Sequence, residues 1–367
     1  MTNVRLSLGR RFASIAILLS LAVSALAVPP QEPITFAAIG DSGEAGSAQR
    51  LIARRMKTYR DSSARFDFVL MLGDNIYPDG AASHFREKFE EPYRDLLDAG
   101  VKFYASLGNH DIRRGAEDQP NYAHFNMGGQ RFYSFTKGDG LIEFFALDST
   151  PLTEEARRLV EKQVDRLKRQ KAVLENQRTR TRRLRSARRR QAATIQSMDK
   201  RMEDLDALIT RQEEFIREQE RLAGDQISWL RGALTNSRAR WKVPFFHHAI
   251  YSSARTHGTD SGVLRLRALL EPIFIDKKVD VVFAGHDHVY ERTKPQGPAS
   301  GHKVYYFTQG ASAKLRMGDL RPTPFFEKGN DQTYSFLVVK VSQNEMNVEA
   351  VDPSGNVLDS FRITKSR

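Results

Sequence analysis

The chain has 367 residues, no cysteine and a formal charge of +12, from 57 Lys and Arg against 45 Asp and Glu. Without thiols, disulfides and thiolate metal sites are excluded, and a bound metal must take nitrogen and oxygen donors. The charge is local: fifteen Lys and Arg lie between Arg157 and Arg190 against Glu161, Asp165 and Glu175, which leaves the remainder near neutral. Arg178–Arg190 holds no aromatic residue on which a base could stack, so nucleic acid is not the expected partner.

Residues 1–27 read as an export signal. Arg5, Arg10 and Arg11 form a basic head, Phe12–Val23 is almost wholly apolar, and Ala25-Leu26-Ala27 offers a cleavage site before Val28-Pro29-Pro30. Arg10-Arg11 keeps a twin-arginine route open beside the general one, and an uncleaved anchor competes, since the apolar run is a little short of a span. With cleavage, no transmembrane segment is expected. Export without disulfides fits a bacterial periplasm or secretion.

From 33 to 150, apolar runs alternate with polar turns: ITFAAIGDSG, FDFVLMLGDNIY, KFYASLGNHD and LIEFFALDS read as strands ending in Gly- or Asp-containing loops. Helices are expected at Gln49–Tyr59 and Phe85–Leu97. Residues 151–223 differ, being rich in Arg, Glu and Gln with no Pro or Gly between Pro151 and Gly224. That is a helical composition. A single helix would strand its ends ~110 Å apart, so an antiparallel hairpin with its turn near Leu184-Arg185 is expected. Apolar spacing of 3 and 4 supports a coiled-coil seam, and one register pairs 160 with 209, 164 with 205, 167 with 202 and 174 with 195. The first arm is basic and the second acidic, so the arms attract. From 224 to 367 a helix at Gln226, the stretch WKVPFFHHAIYS, a helix at Val263–Ile275 and VVFAGHDHVYE come before antiparallel strands at the end. Two mixed sheets flanked by helices, of the α/β class, are the natural architecture.

Each strand exit carries a donor for a hard metal: Asp41, Asp74, Asn109, His247, and the pair His286 and His288. In extended backbone, residues i and i+2 point the same way, so the last two can converge. Gly40, Gly73, Gly108 and Gly285 precede four of them and permit sharp turns there. His248 is expected on the opposite face from His247.

In this order, GDS, GDNIY, GNHD, FFHH and GHDH resemble the blocks of the metallophosphoesterase superfamily, and Tyr77, three residues after Asp74, resembles the tyrosinate of small, tartrate-resistant-type purple acid phosphatases. The match spans about Phe36–Ser149 and Gln226–Ile363, with the hairpin inserted between. The resemblance implies a four-layer α/β/β/α sandwich catalytic domain at 33–150 and 224–367. It implies two metal ions, Fe(III) on Asp41, Tyr77 and His288 and a divalent Fe, Zn or Mn on Asn109, His247 and His286, with Asp74 bridging. It also implies hydrolysis of phosphate monoesters by a metal-bound hydroxide, with His110 and His257 facing substrate; Asp111, next in the chain, could orient the His110 ring as carboxylates behind a site histidine do.

A phosphodiesterase or nucleotide hydrolase on the same metals is the alternative. From another class, the chain could be an envelope interaction protein acting through the hairpin, its basic tip meeting anionic lipid, polyphosphate or a protein; the seven intact ligand positions argue against a degenerate site. Substrate, pH optimum and oligomeric state are not legible.

Overall fold

The structure is a computed structural model that describes residues 32–183 and 188–366, together with Thr2. The expected export signal and the turn of the hairpin lie outside the described residues.

Five strands precede the helical arm: β1 (Ile34–Ile39), β2 (Phe68–Leu72), β3 (Lys102–Ser106), β4 (Tyr133–Lys137) and β5 (Ile142–Ala146). Eight follow: β6 (Trp241–His248), β7 (Val281–Gly285), β8 (Tyr290–Thr293), β9 (Tyr305–Gln309), β10 (Phe326–Asn330), β11 (Phe336–Val341), β12 (Glu345–Val351) and β13 (Val357–Thr364). One sheet has the order β13-β12-β11-β1-β2-β3 and the other β10-β8-β9-β7-β6-β5-β4. The central strands β1–β3 and β5, β6, β7 and β9 run parallel within their sheets. Their unbroken apolar runs, such as FVLML and VVFAG, are buried on both faces, as parallel strands require. The last three strands pair antiparallel.

Phe36 of β1 meets Phe144 of β5 edge-on at 5.1 Å and Phe283 of β7 at 6.0 Å, which locates the interior between the sheets. Helix α1 (Ser47–Ser62) covers the first sheet through Ile52, Ala53 and Met56. The arm consists of α2 (Glu155–Arg183) and α3 (Arg188–Asn236). Helix α4 (Ser261–Asp276) covers the second sheet with Leu266, Leu270 and Phe274, beside Leu230 and Leu234 of α3. The layers therefore run α/β/β/α.

Two expected helices differ. Phe85–Leu97 is a π-helical turn at Arg86–Glu90 followed by a short helix at Arg94–Asp98, because Pro92 lacks an N–H and crowds the preceding turn. The helix expected to begin at Gln226 is the continuation of α3. Gly224 costs a helix interior ~1 kcal/mol, less than the ~1.5–3 kcal/mol for burying each of Leu230 and Leu234.

Along the arm, Val164, Met202 and Ile209 are buried, and Val160, Leu167, Leu174, Ile195, Met198, Leu205 and Ile216 are half-buried. Ion pairs join the arms at Arg157–Glu220 (2.9 Å), Lys168–Glu213 (2.8 Å), Lys171–Asp206 (2.6 Å) and Arg178–Asp199 (2.5 Å). These pairs lie about two turns beyond the expected register, which sets 171 opposite 198. Long side chains lean toward the N-terminus of their own helix, which accounts for part of that offset between antiparallel arms. Among the described residues, no helix is long and apolar enough to cross a membrane.

Candidate metal centre

Asp41, Asp74, Asn109 and His286 follow the ends of β1, β2, β3 and β7, and His247 sits in the last turn of β6. The exits of both sheets share one rim, so residues more than two hundred positions apart meet. Asp41, Asp74 and His286 hold positive φ values of 54°, 52° and 72°. For residues with a Cβ this left-handed backbone costs on the order of 1 kcal/mol or more each, and here it turns three donors inward. Gly108 is required by space, since a Cβ there would lie 2.2 Å from Asp74 Oδ1.

The Tyr77 hydroxyl donates to Asp41 Oδ1 at 2.9 Å, and His288 Nε2 lies 3.4 Å from the same oxygen. The other Asp41 oxygen accepts the backbone N–H of His286 at 2.8 Å. On the second side, His247 Nε2 lies 3.0 Å from Asn109 Oδ1 and 3.1 Å from His286 Nδ1. His247 Nδ1 donates to the Leu72 carbonyl at 3.0 Å, which leaves its Nε2 lone pair facing inward. Asp74 touches both sides. Its Oδ1 lies 3.5 Å from His247 Nε2 and accepts the His110 N–H at 2.9 Å, and its carboxylate also presses on the Tyr77 phenol.

The donor set fits cations. Asp41 and Asp74 are buried, and among the described residues no Lys or Arg forms an ion pair with either. Burial works against ionised Asp41, yet His247, His288 and the His286 N–H hold its pKa below the ordinary carboxylate value. Burial, then the imidazoles of His248, His247, His257 and His288, push His286 well below the ordinary imidazole value, so it is neutral and one of its ring nitrogens keeps a lone pair. Burial and then Asp41 and Asp74 raise the Tyr77 pKa far above the ordinary phenol value. A phenolate there requires strong positive charge beside it. Asp41, Tyr77 and His288 would form the oxygen-rich pocket, Asn109, His247 and His286 the nitrogen-rich one.

His110 and His257 lie at the mouth. His110 Nδ1 donates to the Pro78 carbonyl at 2.7 Å, and its ring stacks obliquely on Tyr77 at 4.7 Å. His257 Nδ1 donates to Asp260 at 2.9 Å, and its ring sits 4.4 Å from that of His286.

Two expectations are corrected. Asp111 does not orient His110. Its buried carboxylate accepts the N–H groups of Asn75 (3.0 Å), Ile76 (3.0 Å) and Gly108 (2.8 Å) and the Gln119 amide (2.8 Å), tying the GDNIY loop to the GNHD loop. His248 does not face away from His247. The pairing of β6 with β7 shifts between Phe246 and His248, and a bulge breaks strand alternation. The His248 ring lies 4.4 Å from that of His286, and its Nδ1 is 2.8 Å from Ser149 Oγ.

Lys314 carries no sequence motif, yet its ammonium stands 3.8 Å from the centre of the Tyr77 ring and pairs with Glu44 at 2.7 Å. It lies just beyond β9, which is parallel to β7, so the rule that finds the other donors at strand exits also reaches this loop.

Residues 34–290 match the family model for calcineurin-like phosphoesterases. The chain is 25% identical over 341 residues to purple acid phosphatase 17 of Arabidopsis thaliana, covering 90% of this chain and 85% of that one. It is 23% identical over 380 residues to human tartrate-resistant acid phosphatase type 5, covering 96% and 98%. Among solved structures, the GAP50 anchor in the inner membrane complex of Plasmodium superposes with a TM-score of 0.64 at 16% identity, covering 91% and 90% of the chains. Purple acid phosphatase PPD1 of yellow lupin gives 0.59 at 14% identity, covering 91% of this chain and 54% of that one. The fold is thus shared with both, and the chain belongs to the calcineurin-like phosphoesterase family, as a metal-dependent hydrolase of phosphoric esters.

Proposed function

We propose that the protein is an exported phosphatase hydrolysing phosphate monoesters at a pair of metal ions. In this reading Fe(III) is held by Asp41, Tyr77 and His288, a divalent Fe, Zn or Mn by Asn109, His247 and His286, and Asp74 is shared. The single observation that carries it is the Tyr77 phenol on buried Asp41, where among the described residues no Lys or Arg forms an ion pair with Asp41 or Asp74. Phenolate and carboxylate favour a hard trivalent ion, imidazole and amide a divalent one. When bound, such a pair polarises a phosphoryl oxygen and lowers the pKa of a water.

The chain's own groups supply the rest. His110 and His257, each fixed through Nδ1, present Nε2 to the ester oxygens, where a protonated imidazole hands a proton to the leaving oxygen. Arg113, 3.5 Å from His110 Nε2, adds positive charge beside an incoming phosphate. The names of the plant and human relatives support the monoesterase reading, and residues 1–27 support export to a periplasm or beyond.

Elemental analysis and an absorption spectrum of protein from its native host, with assays on a mono- and a diester, test this reading. A visible band, iron in the metal content and faster monoester turnover are expected. A colourless iron-free enzyme, or faster diester cleavage, overturns the corresponding part.

A further inference from the structure

The arm has a second face that the coiled-coil seam does not use. At 100° per residue, Arg158, Lys162, Arg166, Arg169, Arg180 and Arg183 of α2 fall within one stripe, opposite the seam of Val160, Val164, Leu167 and Leu174. All six are exposed. Four acidic residues of α3, Glu220, Glu213, Asp206 and Asp199, are engaged by Arg157, Lys168, Lys171 and Arg178, which lie off this stripe. Arg158 has Glu154 at 3.6 Å, whereas the other five form no ion pair with another described residue. Asp165 alone adds a negative charge at the edge of the stripe. From 158 to 183 the row spans about 38 Å. Two of the large apolar side chains most exposed on the molecule, Leu159 at 62% and Val173 at 55%, border the same stripe.

We infer that the outer face of α2 docks on an anionic phospholipid surface, with the basic row over the headgroups and Leu159 and Val173 dipping into the interface. A straight rod with cations on one side matches a planar sheet of negative charge, where each basic residue near the surface contributes measurably. The exposed aliphatic pair favours lipid over a nucleic acid or polyphosphate, because phosphate chains give apolar side chains nothing to bury against. This surface is separate from the metal centre and holds whichever ester the enzyme cleaves.

The test is sedimentation of the full-length protein with phosphatidylglycerol-containing vesicles and with pure phosphatidylcholine vesicles. It is run on the native chain and on Lys162→Gln/Arg166→Gln/Arg169→Gln/Arg180→Gln. Residues 1–31 are common to both proteins, so any attachment through them cancels. The native protein is expected to favour the anionic vesicles and lose binding at high salt. The variant is expected to bind roughly tenfold more weakly or worse, with unchanged helix content by circular dichroism and unchanged small-ester turnover. Leu159→Gln/Val173→Gln should weaken vesicle binding while leaving binding to duplex DNA or polyphosphate unaltered. Equal binding of native and variant chains to anionic vesicles overturns the inference. So does a native chain that prefers duplex DNA or polyphosphate to the vesicles.

Discussion

The Lys314 ammonium rests 3.8 Å from the centre of the Tyr77 ring while Glu44 steadies it from the other side at 2.7 Å. A cation over an aromatic face stabilises the ring electrons by roughly 0.5–2 kcal/mol. In protein loaded with iron, Lys314→Met should therefore shift the visible band to longer wavelength, and Tyr77→Phe should abolish it. A band unmoved by either change would exclude Tyr77 as the coloured ligand.

Asp74 and His286 each touch more than one other donor, so neither can be removed without opening the whole cluster. Asp74→Ala and His286→Ala should lose bound metal and turnover together. Metal content by mass spectrometry, beside an activity assay, checks it; full activity in either variant would show the ligand map to be wrong.

Asp111→Asn places an amide N–H₂ among three backbone N–H groups that now share a carboxylate. A buried donor left facing donors costs ~1–3 kcal/mol. Chemical denaturation should register that loss. His110→Ala, by contrast, should lower kcat with little change in stability, which would separate the loop anchor from the residue at the mouth.

Glu291, buried in β8, accepts the Ser253 N–H at 2.8 Å and the Ser253 hydroxyl at 2.5 Å. Burial raises its pKa to about 7, with Asp287 adding to the rise. The unfolded chain releases this proton near 4.5. Between these values the fold binds more protons, so the contribution is full below 4.5 and is lost as pH rises through about 7. The effect is capped at about 3 kcal/mol. Glu291→Gln should flatten this part of the stability-against-pH curve; an unchanged slope would assign it to other groups.

Arg157 and Glu220 meet at 2.9 Å at the base of the arm. Replacing residues 159–218 with a short Gly-Ser linker should therefore leave turnover of a small ester within about twofold, as long flexible insertions cost little at a surface. A folded but inactive product would place the arm in the catalytic unit.

The buried strands and the rim of donors were legible because short runs rich in β-branched and aromatic residues, each ending in Gly or Asp, suit buried strands, and ligands at such sheets gather at the carboxyl ends. The arm was legible from spacing of 3 and 4. Its exact pairing was not, because Lys171 and Arg178 occupy seam positions and long side chains decide the contacts there. His248 was misplaced because a bulge at the end of β6 overrides alternation, and no residue type announces it. Asp111 was misread for a related reason. Adjacency to His110 in the chain says nothing of direction once a 3₁₀ turn follows at Asp111–Arg113.

Helix α3 runs for 49 residues without interruption, from the far end of the arm to Leu230 and Leu234 in the wall of the catalytic body. It is a mast stepped into the hull, helical throughout where the two meet. In the docking inferred above, a grip on the outer part would be carried along one continuous helix into the wall of the catalytic body.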